Sequence, residues 1–237
     1  VRGCLFTVVL GAVVVALIVV VGLPAIAAGV LTAGVQAAGL QADDTTVTVT
    51  SDPPWDLLGF QADRVRVRAT SATFRGLRIG ALDVTLLGVS LLGRTADSVA
   101  GRLTAVTVPD VAGQPLGLAA ITLAGGGDRV TASTTIAPGD ARALVAAEVA
   151  GVVGVAVPVS AVHLTAPDAV VVKAAGQTLT AILSVDASGN LVATAADIPP
   201  VTLLRAGEDL PLRLTSVRVD ASGGLALAGE LVVGLLG

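Results

Sequence analysis

Asp63-Arg64-Val65-Arg66-Val67-Arg68-Ala69 alternates with a period of two, and the reading of this stretch decides the fold. Successive side chains of an extended strand point to opposite faces, so three Arg share one face and Val65, Val67 and Ala69 the other. Leu82-Asp83-Val84-Thr85-Leu86 repeats the arrangement. Both predict strands of an antiparallel sheet, apolar on one side and solvated on the other.

Outward from this centre the same period recurs. Thr45-Thr46-Val47-Thr48-Val49-Thr50 alternates β-branched and hydroxyl residues and is closed by Asp52-Pro53-Pro54. Further strands are expected over 103–108, 118–123 and 130–137, and Gly125-Gly126-Gly127 reads as a loop. One helix interrupts the series: Asp140, after Pro138-Gly139, is placed to cap a helix running through Ala150. In the second half, Val185-Asp186-Ala187-Ser188-Gly189-Asn190-Leu191 is echoed by Val219-Asp220-Ala221-Ser222-Gly223-Gly224-Leu225. Each copy reads as a hairpin turn, because Asp, Ser, Asn and Gly supply local hydrogen bonds and positive φ. Between Leu212 and Val219 the apolar phase shifts at Thr215-Ser216, which predicts a β-bulge.

Composition narrows the function classes. Of the 237 residues 54% are apolar and 14% charged, which excludes a disordered chain. With no Tyr, no Met, three Phe and one Trp, the core must be aliphatic and base-stacking platforms are not expected. A net charge of −4 argues against nucleic acid as a partner. One Cys and one His exclude disulfide frameworks, zinc sites with several Cys or His ligands, and a Cys/His nucleophile pair, Cys4 lying within an apolar run. His163 sits in a strand-like segment and reads as structural. Asp110, Asp128, Asp140, Asp186 and Asp220 flank turns, where Asp is favoured for local reasons. No nucleophile elbow, phosphate loop or dinucleotide fingerprint occurs, so the expectation is a protein without catalytic residues, metal or cofactor.

Cys4 to Gly22 is nearly unbroken aliphatic sequence, and no charge occurs from Gly3 to Ala42. At about 1.5 Å per residue the run is long enough to cross roughly 30 Å of hydrocarbon. Residues 1–23 are therefore expected to form a single-pass membrane anchor, with 24–237 as one extracytoplasmic (periplasmic) domain, Arg2 marking the inner side. Ala25-Ile26-Ala27 supports the competing reading of a cleaved signal. From Pro24 to Leu40, apolar residues spaced mostly by four or five predict a second helix.

Seven of the 14 basic residues fall between Arg64 and Arg102: Arg64, Arg66, Arg68, Arg75, Arg78, Arg94 and Arg102. One reading is a patch for anionic headgroups, because the guanidinium fork matches phosphate oxygens. The other is a solvated strand face whose Arg stems cover apolar surface. Strands this aliphatic, with so few rings, suit either a closed core or a lining for acyl chains, each buried CH₂ being worth about 0.8 kcal/mol.

Two blocks resemble a known family. Asp63-Arg64-Val65-Arg66-Val67 followed by Leu77-Arg78-Ile79-Gly80-Ala81-Leu82-Asp83-Val84-Thr85-Leu86-Leu87-Gly88-Val89 is similar to the first block of the LmeA family. Leu210-Pro211-Leu212-Arg213-Leu214-Thr215-Ser216-Val217-Arg218-Val219, with Gly224-Leu225 and Gly229, resembles its closing block. These are phospholipid-binding proteins of the actinobacterial cell envelope, the founding member being linked to mannan elongation of lipoglycans. The resemblance implies an α+β, mostly β fold: a curved antiparallel sheet with a packed helix forming an apolar groove, comparable to tubular lipid-binding domains. It also implies a phospholipid partner, anionic by expectation, at the cell membrane where the anchor would hold the chain, with envelope-synthesis proteins as further candidate partners. Acyl chains are then expected against Val47, Val49, Val65, Val67, Leu82, Val84 and Leu86. Arg64, Arg66 and Arg68 point to the other face, which leaves Arg75 and Arg78 as headgroup candidates. A non-enzymatic envelope scaffold that binds protein and no lipid is the alternative.

Overall fold

The computed structural model of the chain describes residues 39–231 apart from 75, 91, 94, 128, 154–158, 175, 197 and 211, together with residues 28, 29, 32, 33 and 36. The expected anchor over 1–23 lies outside the described residues, and no helix among those described is long and apolar enough to cross a membrane. Residues 28, 29, 32, 33 and 36 are helical, but the helix expected through Leu40 stops earlier. Gly39 turns with φ 97° and donates its N–H to the Gln36 carbonyl. A glycine adopts that left-handed conformation without penalty, which ends a helix. Leu40 then pairs with Phe74 as a strand.

The alternating stretches form β1 (Leu40–Gln41), β2 (Asp44–Thr50), β3 (Gln61–Phe74), β4 (Leu77–Ser90), β5 (Thr95–Val111), β6 (Gln114–Gly126) and β7 (Arg129–Ile136). Helix α1 (Pro138–Val153) follows. Then come β8 (Val159–Thr165), β9 (Ala169–Ala174), β10 (Gln177–Val185), β11 (Leu191–Ala195), β12 (Ile198–Leu204), β13 (Leu212–Val219) and β14 (Leu225–Leu231). A nine-stranded sheet has the order β1-β3-β4-β5-β6-β7-β14-β13, with β2 also on β3, and a five-stranded sheet has the order β12-β11-β10-β9-β8. Every pair within both sheets is antiparallel. The protein is thus mostly β, as its alternation predicts.

Several expected boundaries shift. β5 and β6 run well beyond 103–108 and 118–123, because Thr, Ala and Gly continue the ladder where the apolar signal fades. Gly125 and Gly126 belong to β6 rather than to a loop: a Cβ on either would collide with a carbonyl, of Arg129 and Asp97 respectively. Helix α1 begins at Pro138, so Asp140 lies inside its first turn, where its charge suits the helix N-terminus, and does not cap it. The Ala141 N–H bonds instead to the Ala137 carbonyl.

A line of extra residues crosses the large sheet. Thr70 pairs with Ala81 and Ala72 with Ile79, leaving Ser71 opposite Gly80. By the same registers Gly80 lies opposite Ala105, and Ala105 opposite Ala119. Along this line the apolar residues skip one place in each strand: Ala69 to Ala72, Ile79 to Leu82, Leu103 to Val106 and Leu118 to Ile121. Ser71 (φ 49°) and Ala105 (φ 50°) take the left-handed conformation, and against β7 the surplus residue of β6 ends as a register shift. Both sides of the line contribute to one apolar cluster, so the crease bends the sheet without turning its apolar face outward. A second crease passes through Asp63, Gly88 (φ 57°) and Asp97.

The main core joins the apolar face of the large sheet beyond the first crease to Ala141, Leu144 and Val145 of α1 and to the inner residues of the small sheet. A smaller cluster of Val49, Leu57, Ala62, Val65 and Val89 lies at the other end, with Ala28 packed on it. The twin turns link the sheets. Asp186 accepts the N–H groups of Ser188 and Asn190, and Asp220 those of Ser222 and Gly224. The Gly189 carbonyl of the first turn takes the Leu214 N–H of β13, while Val219, at the start of the second, donates to Pro167 between β8 and β9. The expected bulge is present, the β13–β14 register shifting between Leu214 and Ser216.

Candidate functional site

Six of the seven residues expected to line an acyl chain are joined by four cross-strand pairs. Val47 pairs with Val67 and Val49 with Val65 across β2 and β3, while Val65 pairs with Leu86 and Val67 with Val84 across β3 and β4. Leu82, the seventh, pairs with Ala69. The two creases bracket this set on β3 and β4, so the apolar face there is one continuous strip over three strands. Val49 and Val65 are buried, closing the strip at the smaller core; Val47, Val67, Leu82, Val84 and Leu86 are half-buried. Gly101 on β5 lies opposite Val84, where a Cβ would come within 2.8 Å of the Val84 Cγ2, so the valine leans across the glycine.

A second apolar recess lies between α1 and the small sheet. Val145 and Val149 face Val170, Val172, Leu179, Ala181, Ala193, Ala195, Ile198, Pro199 and Val201, with no charged residue in the lining. Its volume is about 60 Å³, room for roughly five water-sized spheres and far short of a phospholipid chain. No sequence pattern announces it, because each of its walls is an ordinary apolar strand or helix face.

The cationic residues do not join the strip. Arg78 is exposed, between buried Leu77 and Ile79, on the opposite face and beyond the first crease. Arg75 lies outside the described residues, as does Arg94. Arg64, Arg66 and Arg68 project from the solvated face as the alternation requires. Arg66 forms a two-pronged contact with Asp83, Nε to Oδ1 at 2.8 Å and Nη2 to Oδ2 at 2.6 Å, and Arg68 Nε approaches Oδ2 at 3.3 Å. These bonds hold the Asp83 carboxyl below the usual carboxylate range, Arg66 being the larger cause, and raise Arg66 further. Beside them, open hollows bordered by Arg102 carry Thr, Ser and Ala side chains. This face is a solvated ion-pair surface.

Titratable groups elsewhere are scattered. His163 is exposed on β8. Among the described residues no three His, Cys, Asp or Glu side chains converge to hold a metal ion. Glu148 on α1 is the one carboxyl pushed up among the described residues: partial burial is the larger cause, Arg205 opposes it and Asp209 adds to it. Comparison with protein-family models, with curated proteins and with solved structures gives no match.

Proposed function

We propose that the chain is a membrane-tethered, extracytoplasmic, non-enzymatic phospholipid-binding protein of the cell envelope, a reading that the residue blocks resembling those of the LmeA family also suggest. The observation that carries it is the strip between the creases. Val67, Leu82, Val84 and Leu86 are aliphatic, contiguous in register and only half-buried, whereas beyond the first crease Ala72, Leu77, Ile79, Val106 and Leu118 are buried. Leaving that surface to water is costly at about 25 cal/mol per Å², and an acyl chain laid along it recovers the loss. The recess under α1 is too small for this role. Headgroup contact falls to a group other than Arg78, which stands on the wrong face.

The test is photo-crosslinking of the full chain, reconstituted in vesicles, with a phospholipid carrying a diazirine near the end of one acyl chain. Adducts mapped to residues 61–90 support the strip. Adducts confined to residues 4–22 overturn it and leave the protein-binding scaffold as the better account.

A further inference from the structure

Among the described residues four of the six large apolar side chains that are exposed lie at one end of the large sheet, the others being Leu87 and Ile182. A 3-10 helix, Pro54–Gly59, connects β2 to β3 there, and the β4–β5 turn lies beside it, because Gln61 pairs with Ser90. Trp55 is 63% exposed, Leu58 62%, Phe60 50% and Leu92 73%, although Leu57 of the same helix is buried in the smaller core. Trp55 is the only Trp in the chain and Phe60 one of three Phe. A sequence this poor in rings has placed two of its four in water.

The segment is held firmly. Asp63 accepts the Asp52 N–H at 2.6 Å, Ser51 donates to the Pro53 carbonyl, and the Phe60 N–H returns to the Leu57 carbonyl at 3.1 Å while Phe60 adopts φ 58°. Leu57 therefore points inward and its neighbours outward by construction. The exposed side chains project from a short helix and a turn, and none of them lines the recess under α1 or the hollows beside Arg102. Lipid covers such a tip without a matching hollow, and Trp and Phe favour the headgroup level of a bilayer.

A separate observation brings a membrane to this end. Ala28 packs on the cluster that holds Leu57, Val49 and Val89. The aliphatic run Cys4–Gly22 ends six residues earlier, within about 22 Å along even a fully extended chain. The tip and the expected anchor thus belong to the same end of the molecule. In the chain Asp52, Asp56 and Asp63 flank Trp55, Leu58 and Phe60, against Arg64 and, beside Leu92, Arg94, so these segments carry no net positive charge and suit a zwitterionic interface better than anionic headgroups.

We infer that Trp55, Leu58, Phe60 and Leu92 form a membrane-insertion tip that dips into the interfacial layer of the bilayer holding the anchor, setting the sheet upright with its strip starting at the lipid surface. The inference shares with the proposed function the tether at residues 4–22 and does not depend on an acyl chain in the strip.

The sole Trp is its own probe. The full chain is reconstituted into phosphatidylcholine vesicles, recovered by flotation, and Trp55 fluorescence is read with acrylamide in the water or with bromine on the acyl chains. Insertion gives emission at shorter wavelength, loss of intensity with brominated lipid and protection from acrylamide. In the Leu58→Asp/Leu92→Asp variant, altered only at exposed positions, the chain still floats and the emission returns to that of Trp in water. Full acrylamide access with no quenching by brominated lipid overturns the tip. Protection from acrylamide without lipid quenching overturns it in favour of a protein interface. A chain that fails to float overturns both tip and tether, while the crosslinking result judges the strip alone.

Discussion

Gly80 on β4 faces Ala105 on β5 so closely that a Cβ on the glycine would lie 2.8 Å from the Ala105 Cβ and 3.3 Å from the Thr104 carbonyl oxygen. The two residues are the centre of the first crease. Ala105 holds a left-handed backbone there, at a cost of about 1–2 kcal/mol for a residue with a side chain. Buried Ala72 and Ile79 lie on one side of the crease and half-buried Leu82 and Val84 on the other, with buried Ala69 beside it, so this contact lies near the edge of the covered face.

Gly80→Val is expected to destabilise the protein by about 1–3 kcal/mol, the range for overpacking. Ala105→Gly removes both the facing Cβ and the left-handed strain and should be neutral or stabilising by up to about 1 kcal/mol. In a double-mutant cycle built on Gly80→Ala, urea unfolding should show a positive coupling, the alanine being tolerated better once Ala105 is glycine. Strict additivity would refute direct contact as the cause.

Val67→Thr/Val84→Thr keeps the shape and strand preference of both residues and adds two hydroxyls to the strip. Each costs about 0.5–2 kcal/mol against an apolar ligand. The pair should reduce lipid crosslinking to residues 61–90 about tenfold or more, with far-UV circular dichroism unchanged. Equal crosslinking by the variant and the parent would count against the strip.

Asp186 and Asp220 are both held below the usual aspartate range, Asp186 chiefly by Asn190 and Asp220 chiefly by Ser222 and Gly224. A folded-state pKa below the unfolded one stabilises the fold fully above the unfolded value, and the gain is lost as pH falls through the folded value. The Asp186→Asn/Asp220→Asn variant should be less stable than the parent at pH 7. The two curves should converge below the ordinary aspartate value of about 3.9. Denaturant midpoints across pH 2–7 check this.

Glu148 carries the opposite sign. Its carboxyl is pushed up mainly by partial burial on α1, so the folded state prefers the protonated form and ionisation weakens it. Glu148→Gln should be more stable than the parent at pH 7, and the advantage should shrink as pH falls to the ordinary glutamate value of about 4.3. A variant less stable than the parent at neutral pH would mean that attraction to Arg205 outweighs the burial.

Much of the architecture was legible in particular residues. The Arg64–Ala69 and Leu82–Leu86 alternations placed Val65, Val67, Val84 and Leu86 on one face, and the Asp186 and Asp220 copies announced their turns. The bulge near Thr215 follows from an apolar phase shift. The same signal occurs at Ala69–Ala72, Ile79–Leu82, Leu103–Val106 and Leu118–Ile121 and announces the first crease, but only pairing reveals that these shifts line up across four strands. The exposed tip carried no comparable signal, since Trp55, Leu57, Leu58 and Phe60 are equally apolar and only backbone geometry sorts which one is buried.

By itself the sequence determined the antiparallel β character, the face of each strand and the local turns, because period, β-branching and Asx hydrogen bonding act over a few neighbours. Tertiary structure alone decided how far the apolar face is covered, that Arg78 stands away from the strip, and that Ala28 and Trp55 share one end. Those depend on registers between residues far apart in the chain: cover is a property of what packs opposite, and no local pattern records the opposite partner.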